Sequence, residues 1–393
     1  MVNSPGNRPA TERRRICFIT TLPYQINVFL GEHIANLLDI ADITVLTNGE
    51  HLELSPVIRD KVRHHRIPIE RRISTRADLQ TLYRLTMILR DERPHLVQTM
   101  TPKAGLLGLL ASLLASVPVR VHWFTGQVWQ NARGLSRLAL RSSDRLVARL
   151  ATASLVDSPS QRQFLVEEHI HSEAHLTVLG KGSVRGVDVR RFRPNEDSRR
   201  TVRTELGLSP SDILALFVGR LTRDKGLLEL AAAMRELRLN APNLHIALVG
   251  FEEGSFLNSM YAAVGIARDR LHVVGYSESP ERFMAAADFL VLPSHREGFG
   301  STVIEAAACG IPAIGTNIHG LTDAIEDGLT GIIVPPRNPP QLARAMRALA
   351  ENEALRTKLG AAALHRARQD FDSTLLQAAL RKFYGRALGI EIT

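Results

Sequence analysis

The sequence predicts two α/β domains, each a doubly wound parallel sheet. Three observations carry this. Strand-like apolar runs alternate with helical patterns along the chain. The alternation breaks near Phe192–Arg199, at Pro194-Asn195-Glu196-Asp197, and then restarts. The length, 393 residues, exceeds one ordinary hydrophobic core.

Residues 1–12 are polar, contain Pro and Gly, and are expected to be a disordered tail. The first domain is expected over 13–195. Its strands are Arg15–Thr20, Ile43–Leu46, Leu96–Thr99, Arg120–Trp123, Ser154–Asp157 and Leu176–Val178, with helices Asn27–Leu38, Leu79–Asp91 and Arg137–Ala151 among them. The apolar stretch Gly105–Val117 is too short to span a bilayer and reads as a buried helix. The second domain is expected over 196–372. Its strands are Ile213–Val218, Leu244–Val249, Leu271–Val274, Phe289–Leu292, Pro312–Gly315 and Gly331–Val334, with a helix at Leu227–Leu237. A last helix, Ser373–Leu388, follows Asp370-Phe371-Asp372. Asp-x-Asp can bind a metal, but at a helix start Asp372 or Ser373 reads as an N-cap.

Cys17 lies in an apolar strand and Cys309 in an alanine-rich helix. Both read as buried thiols of a reducing compartment, without a disulfide or metal framework. No signal peptide is visible, since Arg13-Arg14-Arg15 precedes only a strand-length apolar run.

The charge is unevenly placed. Met1–Pro194 holds 27 Lys+Arg against 17 Asp+Glu, and the remainder holds 22 against 23. The net charge of +9 therefore belongs to the first half. Such an excess suits an anionic partner: a membrane surface, a lipid diphosphate or a nucleic acid. Sparse aromatics, not interleaved with the basic residues, argue against nucleic acid. The segment Arg59–Arg76 is densest, and Arg66, Arg71 and Arg72 are the expected membrane contacts.

Ser294-His295-Arg296-Glu297-Gly298-Phe299-Gly300-Ser301 leads from a buried strand into a helix that carries Glu305. Gly298 and Gly300 let the backbone approach a ligand, and a helix N-terminus offers free N–H groups to an anion. Amides for phosphate and carboxylates for hydroxyls suit a nucleotide-sugar. A second element, Gly219-Arg220-Leu221-Thr222-Arg223-Asp224-Lys225-Gly226, is a basic loop after a strand, where Arg220 and Lys225 could hold a diphosphate.

With Gly186-Val187-Asp188-x3-Phe192 and Gly331-x3-Val334-Pro335-Pro336, these elements resemble family 4 glycosyltransferases in order and rough spacing, from about Ile16 onward. The resemblance implies the GT-B fold: two Rossmann-like domains with parallel sheets facing a central cleft, and a terminal helix, 373–393, crossing back to the first domain. It implies a retaining transfer from a nucleotide-sugar. Glu305 would hold the ribose, Glu297 would contact the donor sugar, and Arg220 and Lys225 would neutralise the leaving diphosphate. Gly219, Gly298, Phe299, Gly300 and Ser301 would complete the donor site, with Gly275 and Tyr276 meeting the base. With arginine and lysine carrying that load, no metal or other cofactor is expected.

Two departures matter. The family's His-Gly pair reads Thr125-Gly126 here: either Thr125 takes over the catalytic hydrogen bond, or no side chain there is essential. His122, three residues earlier, reads either as a structural histidine or as an acceptor contact. Thr20-Thr21-Leu22-Pro23 replaces the family's first glycine loop, so Thr21, Lys103, His122 and Gln127 are the acceptor-side candidates.

Thr-Pro-Lys-Ala-Gly-Leu-Leu-Gly from Thr101, Phe-Thr-Gly-Gln-Val-Trp from Phe124 and Asp157-Ser158-Pro159-Ser160-Gln161-Arg162 resemble the capsule and O-antigen branch. That branch includes transferases that extend undecaprenyl-diphosphate-linked sugars. A cytoplasmic enzyme, peripheral at the inner face of the membrane, is the resulting expectation, with no expectation for oligomeric state. A soluble-acceptor transferase, a UDP-sugar epimerase, a dehydrogenase and a non-catalytic membrane module are the alternatives. Gly180-Lys181-Gly182-Ser183-Val184-Arg185-Gly186 lacks the dinucleotide spacing that a dehydrogenase needs.

Overall fold

The computed structural model describes residues 13–70, 74–254 and 256–390, with the backbone alone at 266 and 267. Thirteen strands form two parallel sheets among these residues. The first half contributes β1 (Arg14–Ile19), β2 (Ala41–Thr47), β3 (Arg63–Arg66), β4 (Leu96–Met100), β5 (Val119–Phe124), β6 (Ala153–Val156) and β7 (Leu176–Val178), in the order β3-β2-β1-β4-β5-β6-β7. The second half contributes β8 (Ile213–Val218), β9 (Leu244–Val249), β10 (Leu271–Gly275), β11 (Phe289–Leu292), β12 (Ala313–Thr316) and β13 (Gly331–Val334), in the order β10-β9-β8-β11-β12-β13.

Contacts divide the chain into two units. One holds the described residues up to Trp123, Ser142–Leu155 and those from Leu380 on; the other holds Phe124–Arg141 and Val156–Ala379. In the first unit β1 pairs in register with β2 and β4, and its residues Ile16–Ile19 are buried. The end of the Ser373–Leu388 helix packs here. Tyr384 donates to Gln98 and lies edge-on to Phe18, and Arg381 holds Asp39 at 2.6 Å.

In the second unit β8 pairs with β9 on one side and β11 on the other. Fully buried Leu214–Phe217, Ile246–Leu248 and Phe289–Val291 form the centre of its core. Such continuous apolar strands are what a parallel sheet covered on both faces requires. The helix Glu196–Glu205 starts at the break expected in the chain, where Asn195 Oδ1 accepts from Ser198 N at 2.9 Å. Arg199 and Arg203 on this helix hold Asp288 at the start of β11.

Both cysteines are buried. Burial pushes the Cys17 thiol up, and lifts that of Cys309 to about 12. Asp372 Oδ1 accepts from the Thr374 amide and hydroxyl, the contact of an N-cap. Among the described residues no helix is long and apolar enough to cross a membrane.

One expectation is corrected. The helix expected over Asn27–Leu38 is broken into Pro23–Gln25, a π-helical turn Ile26–Leu30 and Gly31–Ala35. The basic stretch after Arg59, where the membrane contacts are expected, contains the edge strand β3. Arg63 lies 2.8 Å from Glu92, and Arg66 is ion-paired with Glu50. Charged residues on a sheet edge also discourage pairing with another chain. Arg71 and Arg72 lie outside the described residues.

Candidate functional site

Ligands of open parallel sheets bind beyond the strand C-termini, where the strand order reverses direction. In the second sheet that point lies between β8 and β11. The two loops that leave these strands, 219–226 and 293–300, carry most of the expected donor residues.

The loops are fastened together. Gly226 has φ +72°, and a Cβ there would lie 1.9 Å from the Pro293 carbonyl oxygen, so only glycine fits. The His295 amide donates to the Asp224 carbonyl at 2.8 Å. Arg296 lies 3.5 Å from Asp224, and His295 Nε2 lies 3.0 Å from Glu229 Oε1. At the centre, Lys225 Nζ approaches Glu297 Oε1 at 2.6 Å, and Ser294 Oγ donates to the same oxygen at 2.7 Å. Neither contact uses Glu297 Oε2.

Glu297 leads into Gly298. A Cβ on Gly298 would lie 2.1 Å from Asp157 Oδ2, so the missing side chain admits a buried carboxylate to the turn. A Cβ on Gly126 would stand 3.1 Å from the Gly298 amide nitrogen, which places the Thr125-Gly126 loop against Glu297-Gly298. Thr125 is half-buried there. Gln127 is buried and accepts from Gln161 Nε2 at 3.2 Å, while Gln161 Oε1 accepts from the Asp157 amide at 2.8 Å.

Gly300 takes the left-handed conformation and opens the helix Ser301–Ala308. The first-turn amides of that helix face the carboxyl edge of the sheet, as an anion cradle requires. Phe299 is core, with its ring 5.3 Å from Phe371. Glu305 is buried and ion-paired with Arg185. Burial raises its carboxyl above the ordinary value, and Arg185 opposes that rise.

The other expected residues lie further out. Arg220 forms a half-exposed ion pair with Glu253 at 2.7 Å. Gly219 follows β8, and its amide donates to the Val249 carbonyl. Gly275 ends β10 with φ +82°, and Tyr276 is exposed beside it.

The acceptor-side candidates divide between the units. In the first, Thr21 and Thr101 share a hydroxyl contact of 2.9 Å. Thr101 has φ +75°, a strained conformation for a β-branched residue, at the mouth of the Pro102–Leu114 helix. Lys103 is held by Asp78 at 2.6 Å. His122 does not face an open surface. It is buried against Gly105, with Nδ1 2.8 Å from the Thr99 hydroxyl. Burial drives its pKa down to about 3.

A model of the glycosyl transferases group 1 matches residues 198–366, and a glycosyl transferase 4-like domain matches 32–182. The capsular polysaccharide biosynthesis glycosyltransferase CapM of Staphylococcus aureus is 28% identical over 326 residues, covering 82% of this chain and 85% of its own. A D-inositol 3-phosphate glycosyltransferase of Nocardia farcinica is 30% identical, covering 68% of each chain. The chain belongs to the group 1 glycosyltransferases.

The UDP-Gal:alpha-D-GlcNAc-diphosphoundecaprenol alpha-1,3-galactosyltransferase of Escherichia coli is 26% identical to this glycosyltransferase, over 72% of this chain and 73% of its own. The Anabaena protein HepE, crystallised with UDP and glucose, superposes with a TM-score of 0.81 at 16% identity, over 95% of this chain and 100% of its own. The fold is GT-B. Family membership replaces the epimerase, dehydrogenase and non-catalytic readings.

Three residues of the candidate site escaped the sequence reading. Arg185 immediately precedes the Gly186-Val187-Asp188 motif, which was its only signal. Asp157 ends the expected strand Ser154–Asp157, a position at a sheet's carboxyl edge. Ser294 stands three residues before Glu297 and carried no signal of its own.

Proposed function

We propose that this glycosyltransferase moves a hexosyl or N-acetylhexosaminyl unit, with retention of anomeric configuration, from a UDP-sugar to a polyprenyl-diphosphate-linked glycan. The observation that carries the donor half is the Lys225–Glu297 pair at the sheet's switch point, with Glu305 buried in the helix that follows. Glu305 accepts hydrogen bonds from the ribose. The amides at Phe299, Gly300 and Ser301 and the Lys225 ammonium receive the diphosphate, and Arg220 adds charge from the loop rim. Glu297 orients the donor sugar through Oε2. The bond from the anomeric carbon to the diphosphate breaks, the diphosphate leaves with the electron pair, the acceptor oxygen bonds to the same face, and its proton passes to the departing diphosphate. Lysine and arginine supply the neutralising charge, so the transfer is metal-independent.

UDP is the proposed nucleotide because HepE was crystallised with UDP and the E. coli relative is named for UDP-Gal. The lipid-linked acceptor rests on the same E. coli relative, on CapM and on the basic first half of the chain. On this reading the enzyme works in the cytoplasm, peripheral at the inner face of the membrane. The Nocardia relative favours a second reading, a soluble phosphorylated acceptor.

Labelled UDP-sugars offered with either an undecaprenyl-diphosphate-linked sugar or an inositol phosphate separate the two. The expected result is label in the organic phase, unchanged by EDTA. Label only in the soluble acceptor would overturn the lipid reading, and full loss in EDTA with rescue by manganese would overturn metal independence.

A further inference from the structure

The Gly134–Leu150 helix buries only part of its surface. Its inner side is fixed: Arg137 lies 2.7 Å and Arg141 3.0 Å from the Glu168 carboxylate, and Asp144, Val147 and Ala148 are buried. Its outer side is apolar. Leu135 is 85% exposed, Leu138 58% and Leu146 41%. With Ser142 and Arg149, also exposed, these positions recur at three- and four-residue spacing, which draws one stripe along the helix. Single exposed leucines are ordinary, but three on one stripe are not.

The charged side chains that this helix itself exposes have one sign. The helix carries Arg137, Arg141, Arg145 and Arg149, with exposed Arg133 just before it. Its one acid, Asp144, is buried, so its exposed surface offers no negative side chain. An apolar stripe among arginines fits a surface that is hydrocarbon just below and anionic above. A water-filled groove would leave the leucines wet, and an acidic protein would meet the arginines but not bury the stripe.

We infer that the outer face of the Gly134–Leu150 helix lies in the headgroup layer of an anionic bilayer, with Leu135, Leu138 and Leu146 inserted and the exposed Arg133 and Arg149 at the phosphates. The inference rests on the membrane-borne acceptor proposed above and moves the contact away from β3, where Arg63 and Arg66 already pair with acids.

The test is cosedimentation of the full-length protein with phosphatidylcholine vesicles, with and without phosphatidylglycerol. The variants are Leu135→Glu/Leu138→Glu, Arg133→Glu/Arg149→Glu and, as a control elsewhere, Arg66→Glu. The thermal midpoint and its rise with UDP check that each variant folds. The parent is expected to bind the phosphatidylglycerol vesicles in a salt-sensitive way. Both helix variants should lose affinity by about tenfold or more, and the control should keep it. Helix variants that bind like the parent would overturn the inference while leaving lipid-linked transfer in detergent intact. A parent that ignores the vesicles would overturn it too, as would leucine variants that change only the mass of the protein in solution, which would mark a subunit interface. Vesicle binding through this helix combined with transfer only to a soluble acceptor would sink the acceptor reading and keep the inference.

Discussion

Lys225 Nζ lies 2.6 Å from Glu297 Oε1, and this ion pair, with Arg296–Asp224 beside it, joins the loops that follow β8 and β11. Both side chains are largely buried, so the pair is not the screened surface contact that contributes little. On the proposed reading, a donor diphosphate entering here would meet a preorganised cation.

Lys225→Ala is expected to lower turnover on the order of a hundredfold, about 3 kcal/mol, the cost of one preorganised charge at a leaving group. Arg220→Ala should cost less, because Arg220 is half-exposed and paired with Glu253. Steady-state rates with a saturating UDP-sugar decide it. Near-parental turnover in Lys225→Ala would remove the lysine from the reaction.

Arg185→Gln is expected to make nucleotide binding pH-dependent. Burial raises the Glu305 carboxyl, Arg185 and Arg191 lower it, and Glu281 raises it; the buried Cys309 thiol stands nearby and neutral. Without Arg185 the carboxyl rises further, so its proton must be expelled before the ribose can bind. Affinity for UDP should then fall in acid and recover as pH rises, with Arg185→Lys restoring the parental profile. Calorimetric titrations at several pH values check this. A Gln variant with the parental profile would contradict it.

His122 should contribute to acid lability. Its folded pKa is about 3 against an ordinary 6.5, so the unfolded chain takes up the proton first as pH falls. Stability from this group is complete above about pH 6.5 and is lost by about 1.4 kcal/mol per unit towards pH 3. Urea unfolding of the parent and of His122→Gln across that range should show a shallower fall in the variant. Equal slopes would mean that the histidine is not buried in its neutral form.

Much of the fold was legible because buried parallel strands are continuous apolar runs between turn residues. β8, β9, β11 and β13 fall on their expected bounds, as do the helices Leu227–Leu237 and Ser373–Leu388. The strand Arg63–Arg66 was not legible. It reads Arg-His-His-Arg, and only its neighbours Thr44–Thr47 and the acid Glu92 explain why so polar a segment is extended. Gly298 and Gly300 were legible as close-approach glycines, but what approaches Gly298, the Asp157 carboxylate, comes from more than a hundred residues away. The Arg185–Glu305 contact is equally distant in sequence, 120 residues apart, so local pattern could not announce it. The two thiols were legible as core residues because both sit among apolar neighbours.

The most direct measurement is the thermal midpoint with and without UDP for the parent, Glu305→Ala and Glu297→Ala. A ligand at a hundred times its Kd adds about 2.7 kcal/mol to the folded state. If Glu305 holds the ribose and Glu297 serves the sugar, UDP should stabilise the parent and Glu297→Ala alike and leave Glu305→Ala nearly unmoved, while sugar transfer is low in both variants. An undiminished UDP shift in Glu305→Ala, or the same loss in both, would contradict the donor site described here.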